Sequence, residues 1–247
     1  MTLRLPLVLV AALSIGAAAL PSHADPLTPA ERAAIEQLIR DTIANHPEIV
    51  VDALRDAQKK EDAEAQKKVR QEIVAKENVL LHDPTTPEGG NPHGDVTIVE
   101  FFDYRCPYCK EVEPSLEAFL KEDRNLRIVY KEFPILGPSS VYAAHVALAA
   151  RAQGKYDQFH HAMMAVKGSI DDDVVRKTAE SVGIDMSKLA SAVDGPAVDS
   201  IIKGNFALAD ALQIDGTPAF IVGDTLLPGV VDIDTLRKVV ADARKGG

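Results

Sequence analysis

The chain has 247 residues, 46% of them hydrophobic, and a formal net charge of −10 at pH 7. That length suits one medium domain with an appendage, or two small domains, with ample material for a core. The acidic balance and the absence of tryptophan exclude general nucleic-acid binding, which needs basic excess against phosphate, and give no attraction to anionic lipid.

Residues 1–24 read as a secretory signal peptide: Arg4 as the basic start, an apolar run Leu5–Leu20, and Ser22-His-Ala24 as a small-x-small cleavage site. The rival reading, an uncleaved anchor, needs a span of ~20 apolar residues, and this run is shorter and contains Pro6. Thr28, Pro29 and Glu31 make a capping box with proline at the first helical position. Ile35, Leu38, Ile39 and Ile43 then recur at helical spacing, and Asn45-His46-Pro47 breaks the helix. A second helical segment runs from about Pro47 to Leu81. It is so polar between Gln58 and Lys68 that it reads either as a solvated arm or as a stalk burying its narrow stripe against copies of itself. Residues 82–94, with three prolines and three glycines, read as a linker and the best domain boundary.

Val96–Phe102 is a nearly unbroken apolar run and is expected as a central strand covered on both faces. Cys106 opens a helix with Pro107 in its first turn, and Cys109 follows one turn on; these are the chain's two cysteines. A thiol at a helix N-terminus is stabilised as thiolate by unpaired N–H groups and the helix dipole, so Cys106 is the exposed attacker and Cys109 the resolving thiol. A bridge between them closes almost no loop, so a structural staple gains little. A zinc site lacks ligands, since only two sulfurs are present and adjacent His160 and His161 are expected to point apart at the surface. Leu126–Phe133 is a second strand, and 138–206 turns helical. Gly216–Val222 gives a strand, Gly223-Asp224 a turn, Thr225–Gly229 a short edge strand, and Ile233–Ala243 a final amphipathic helix. The fold class is α/β, in a thioredoxin-type order with helices inserted in the middle and a helical extension in front.

The stretch Phe101-Phe-Asp-Tyr-Arg-Cys-Pro-Tyr-Cys109 and the distal Gly216-Thr-Pro-Ala-Phe220 resemble the DsbA-like family of bacterial periplasmic thiol–disulfide oxidoreductases over about residues 92–245. The resemblance implies that Pro218 is a cis-proline facing the cysteines. It also implies that Pro107, Tyr108, Thr217 and Pro218 border the substrate site, and that 138–205 caps it. It implies a proton relay at Glu100 for the second cysteine; the residues alone also allow a solvated edge carboxylate. Asp103, Tyr104 and Arg105 stand beside the site, and Lys110 either adds positive charge near the thiols or is simply solvated on its early helical turn. Pro107-Tyr108 replaces the Pro-His of the family's prototype, which removes one stabiliser of the thiolate. The extension 25–90 resembles the ScsC-type (suppressor of copper sensitivity) members, which are oligomeric, often trimeric, disulfide isomerases, with a flexible arm over about 57–92.

On this reading the chain divides into a signal peptide (1–24), an oligomerisation stalk (25–81), a linker (82–94) and a DsbA-like domain (95–247). The expected activity is disulfide isomerisation, with dithiol oxidation, or copper binding or holdase action through the same thiols, as alternatives. No metal and no cofactor beyond the redox pair Cys106–Cys109 are expected. The implied partners are exported clients and a membrane thiol reductase of the DsbD or ScsB type, or a quinone-linked membrane oxidase if the chain is an oxidase.

Overall fold

The computed structural model describes residues 27–193 and 195–246, so the predicted signal peptide lies outside the described residues. Contacts divide the chain into two units, 1–59 and 60–247.

Helix α1 is Pro29–Asn45, opened by the expected capping box: Glu31 N donates to Thr28 Oγ1 (3.3 Å) and Thr28 N to Glu31 Oε2 (2.8 Å). No residue of α1 is buried. Helix α2, Glu48–Ala75, carries residues of both units, and a short α3, Glu77–Leu81, follows. Among the described residues no helix is long and apolar enough to cross a membrane.

The larger unit is built on a five-stranded sheet in the order β1–β3–β2–β4–β5, formed by β1 Glu88–Gly90, β2 Val96–Phe102, β3 Leu126–Glu132, β4 Ala219–Val222 and β5 Thr225–Pro228. Strands β2 and β3 are parallel, joined through α4, Pro107–Glu122; β4 pairs antiparallel to β2 and β5 antiparallel to β4. Between β3 and β4 come α5 Pro138–Ala150, α6 Tyr156–Ala165, α7 Asp172–Ser181, α8 Met186–Val193 and α9 Pro196–Ala211, and α10, Ile233–Gly246, closes the chain. From β2 onward this is the expected element order.

Strand β2 is the middle strand, and its alternation sorts the core into two layers. Ile98 and Phe102 join one cluster with α4, α10 and the inserted helices; Val99 and Phe101 join another with Leu208 and Leu212. The second layer corrects the linker and the flexible arm. Ile73 of α2 and Leu80 of α3 are buried in it, with Val69 packed alongside. Residues 88–90, inside the expected linker, form β1 and pair antiparallel with β3. Gly90 permits this with φ of +68°, where a Cβ would stand 2.6 Å from Leu126 O. The polar stretch 60–81 thus uses its narrow apolar stripe on its own sheet, and the boundary between units falls inside α2.

Burying Leu80 is expected to carry real stability. Leu80→Ala should destabilise the protein by about 2–5 kcal/mol in chemical denaturation; a change near zero would show that 60–81 is an arm after all.

Candidate active site

The loop from β2 to α4 is set by Asp103, which is buried. Its Oδ1 accepts from Arg105 N (2.7 Å) and Ser140 Oγ (2.8 Å), and its Oδ2 from Leu136 N (2.9 Å). One carboxylate thereby ties the turn before the cysteines to α5 and to the segment after β3. Arg105, on the exposed side, donates to Leu136 O.

Cys106 is the N-cap of α4 in extended conformation, with Pro107 at the first helical position. The two sulfurs are not bonded to one another in this structure. The Cys106 thiol donates to Thr217 O at 3.2 Å, across a Thr217–Pro218 peptide that is cis. The expected exposed attacker is instead recessed, 3% accessible: the proline loop lies over it. Pro107 and Tyr108 are exposed, Thr217 half-buried and Pro218 buried; of these, Thr217 contacts the sulfur through its carbonyl and Tyr108 faces it with its N–H.

The two thiols are held in opposite states. The Cys109 thiol donating to it, the Thr217 side chain and the N–H groups of Cys109 and Tyr108 together lower Cys106 to about 5, against its desolvation. Cys109 is pushed far up by burial, then by its bond to Cys106 and the charge of Glu100. Glu100 sits on the same side of β2, completely buried, with neither carboxyl oxygen hydrogen-bonded. Burial first, then the charges of Glu113, Glu132 and Cys106, hold its pKa well above the usual carboxylate range. The solvated-edge reading of Glu100 is excluded. Such a set can attack a disulfide with Cys106 and deliver or accept a proton at Cys109 through Glu100.

Two readings fail on the helix face. Lys110 is not solvated: its ammonium donates to Met163 O (2.6 Å) and Met164 O (3.1 Å), and burial lowers it to about 8. His160 is not at the surface: it is fully buried, and with His161 it converges on Glu113. Adjacent helical residues reach one partner because Glu113 projects from α4 between them. Their rings hold the Glu113 carboxyl down at about 2, despite its burial.

The sequence reading missed Glu132. It is buried, accepts from Tyr104 OH (3.0 Å) and Tyr156 OH (2.9 Å), and burial pushes its pKa well above the usual carboxylate range. The signal was present: Lys131-Glu132 follows the apolar run Ile128-Val-Tyr130 within the strand. Lys131 faces the other layer, donating to Val79 O and Thr86 Oγ1 at 2.8 Å each.

Residues 97–241 match the family model described as DSBA-like thioredoxin domain, and residues 31–64 that of the copper resistance protein ScsC N-terminal domain. A thioredoxin-like oxidoreductase of Silicibacter pomeroyi DSS-3 is 45% identical, covering 69% of this chain and 98% of that one, with TM-score 0.67. Proteus mirabilis ScsC in a transitional conformation is 27% identical, covering 90% and 100%, with TM-score 0.66. The thiol:disulfide interchange protein DsbA of Bordetella pertussis is 31% identical over 144 residues, 56% of this chain and 68% of that one. The chain spans only 26% and 28% of the length of two other curated relatives, sodium/proton antiporters of Salinispora.

Alkylation of the reduced protein should show this asymmetry. Iodoacetamide should modify Cys106 with a midpoint near pH 5, and Cys109 not at all through neutral pH; a Cys106 midpoint near the ordinary value of 9 would overturn it. Because the folded value lies below the unfolded one, the Cys106 thiolate stabilises the reduced fold fully above about pH 9, and this is lost as pH falls toward about 5. Cys106→Ser should remove that slope from reduced-state denaturation midpoints.

Proposed function

The chain belongs to the DSBA-like thioredoxin domain family, and from that premise we propose that it is a periplasmic thiol–disulfide oxidoreductase acting as an oligomeric disulfide isomerase. Cys106 thiolate attacks a wrong disulfide of an exported client and forms a mixed disulfide. The client's released thiol attacks another of its own disulfides, and the rearranged client leaves. When rearrangement stalls, the Cys109 proton passes by way of Glu100 to the departing client sulfur while Cys109 attacks Cys106 Sγ; the bond between Cys106 and the client breaks, the client leaves as a thiol, and a Cys106–Cys109 disulfide forms. A membrane thiol reductase then returns the Cys106–Cys109 disulfide to two thiols.

The observation that carries the oligomeric reading is the apolar surface of the first unit. Ile35, Leu38, Ile39, Ile43, Ile49 and Leu54 are all exposed, Leu38 and Leu54 at 66%. Such a stripe is left uncovered by a chain whose second copy covers it. The match of residues 31–64 to the ScsC N-terminal domain supports the same occupant. Copies gathered this way present several thiolates to one client at high effective concentration.

The depressed Cys106 thiol favours one second reading, a dithiol oxidase re-oxidised by a quinone-linked membrane partner. A stabilised thiolate favours the reduced enzyme and makes its disulfide a stronger oxidant.

The intact protein should scatter light as an oligomer and restore activity to scrambled ribonuclease. Leu38→Glu with Leu54→Glu should dissociate it and lose isomerase activity before oxidase activity. A monomeric mass for the intact protein sinks the oligomeric reading, and activity confined to fully reduced ribonuclease favours the oxidase. Cys109→Ser should accumulate mixed disulfides with clients; if none accumulate, the resolving role is wrong.

A further inference from the structure

The contact between α4 and α6 contains an arrangement that disulfide exchange does not use. Glu113 Oε1 lies 3.2 Å from His161 Nδ1 and 3.6 Å from His160 Nε2, and the three ligand atoms all fall within 4.8 Å of one another. His160 is fully buried, and its Nε2 has no hydrogen-bond partner. Its other nitrogen is occupied. Tyr104 OH donates to Glu132 Oε1 (3.0 Å), so the Tyr104 oxygen accepts from His160 Nδ1 (3.3 Å). That bond fixes the proton on Nδ1 and leaves the Nε2 lone pair facing a carboxylate oxygen. His161 is arranged in mirror fashion. Its Nδ1 faces Glu113, while its Nε2 lies 3.5 Å from Glu117 Oε1.

Three lone pairs therefore converge on one point, and a single proton there serves one pair at a time. A tetrahedral zinc ion with bonds of about 2.0–2.1 Å sets neighbouring ligand atoms about 3.3 Å apart, close to the 3.2 and 3.6 Å found. We propose that Glu113, His160 and His161 form a site for a borderline divalent transition-metal ion such as zinc, which fastens the catalytic helix α4 to α6. Two imidazoles and one carboxylate are the ligand types such an ion takes, leaving the fourth position to water. The outward ring atoms already have the partners that orient metal-bound histidines: Tyr104 for His160 and Glu117 for His161. The His161 side chain is 43% exposed and provides the entry path, whereas His160 is the buried wall. Neither cysteine takes part.

The test uses the oxidised full chain, in which the Cys106–Cys109 disulfide removes both thiolates as competing ligands. Calorimetric titration with Zn2+ should give one ion per chain, Co2+ should give the absorption of a tetrahedral N/O site, and Zn2+ should raise the thermal midpoint. His161→Ala, at a half-exposed position, should keep the circular dichroism spectrum and lose the Co2+ band and the thermal shift. Glu117→Gln, which faces the His161 ring with Oε1 and otherwise pairs, among the described residues, only with the exposed Lys121, should weaken Zn2+ by about tenfold or more. Absence of Zn2+ binding by the oxidised wild-type chain overturns the proposal, and so does unchanged affinity in His161→Ala.

Discussion

Two sulfurs three residues apart are held in opposite protonation states, and much of the larger unit exists to keep them so. Cys106 stands at the open end of a helix, where N–H donors and the neighbouring thiol favour negative charge. Cys109 is one turn deeper, against the sheet, where no solvent offsets a charge. Depth alone would leave Cys109 unable to lose its proton at neutral pH. Glu100 answers this: burial without hydrogen bonds lifts its carboxyl pKa well above the usual carboxylate range, toward that of a thiol, so it is suited to exchange a proton with Cys109 when a charge must be made or removed. Burying such a group without partners is destabilising, and a core otherwise closed by Ile98, Phe102 and Phe220 tolerates it on the one strand that feeds the active helix.

The sequence made legible whatever depends on short-range chemistry. The capping box at Thr28, the apolar run of β2, the proline after Cys106 and the strand after Pro218 each act on their immediate neighbours, and each stands where the pattern put it. What it concealed depends on contacts between distant segments. Residues 82–94 carry so much proline and glycine that they read as a linker, yet β1 forms because β3 offers an unpaired edge far along the chain, with Glu88 opposite Val129 and Arg127 Nε, 39 residues on, donating to Glu88. The stretch 60–81 reads as a solvated arm or a self-packing stalk because its apolar stripe is narrow. A narrow stripe suffices when it meets a sheet face whose other covering is a single helix, α9.

The histidine pair shows the same limit from the other side. On an isolated helix two adjacent residues diverge by about 100°, and that reasoning places His160 and His161 in different surroundings. It fails because the partner is not on their helix. Glu113 comes from α4, 47 positions before His160, and its position is fixed by Cys109 packing one turn earlier on the same helix. Nothing in local spacing carries that information.

The ties between α4 and α6 bear directly on chemistry. Lys110 donates to the Met163 and Met164 carbonyls in the last turn of α6, where few N–H donors remain, and Glu113 reaches the histidines one turn below. With Asp103 fixing the turn before Cys106, the first turn of α4 is held from both ends before any substrate arrives. That rigidity matters because the donors lowering Cys106 are N–H groups of the turn itself. If the turn frayed, the donors would scatter and the thiolate would lose its stabilisation, so the reactivity of the sulfur is set by how firmly α4 is fastened to its neighbours.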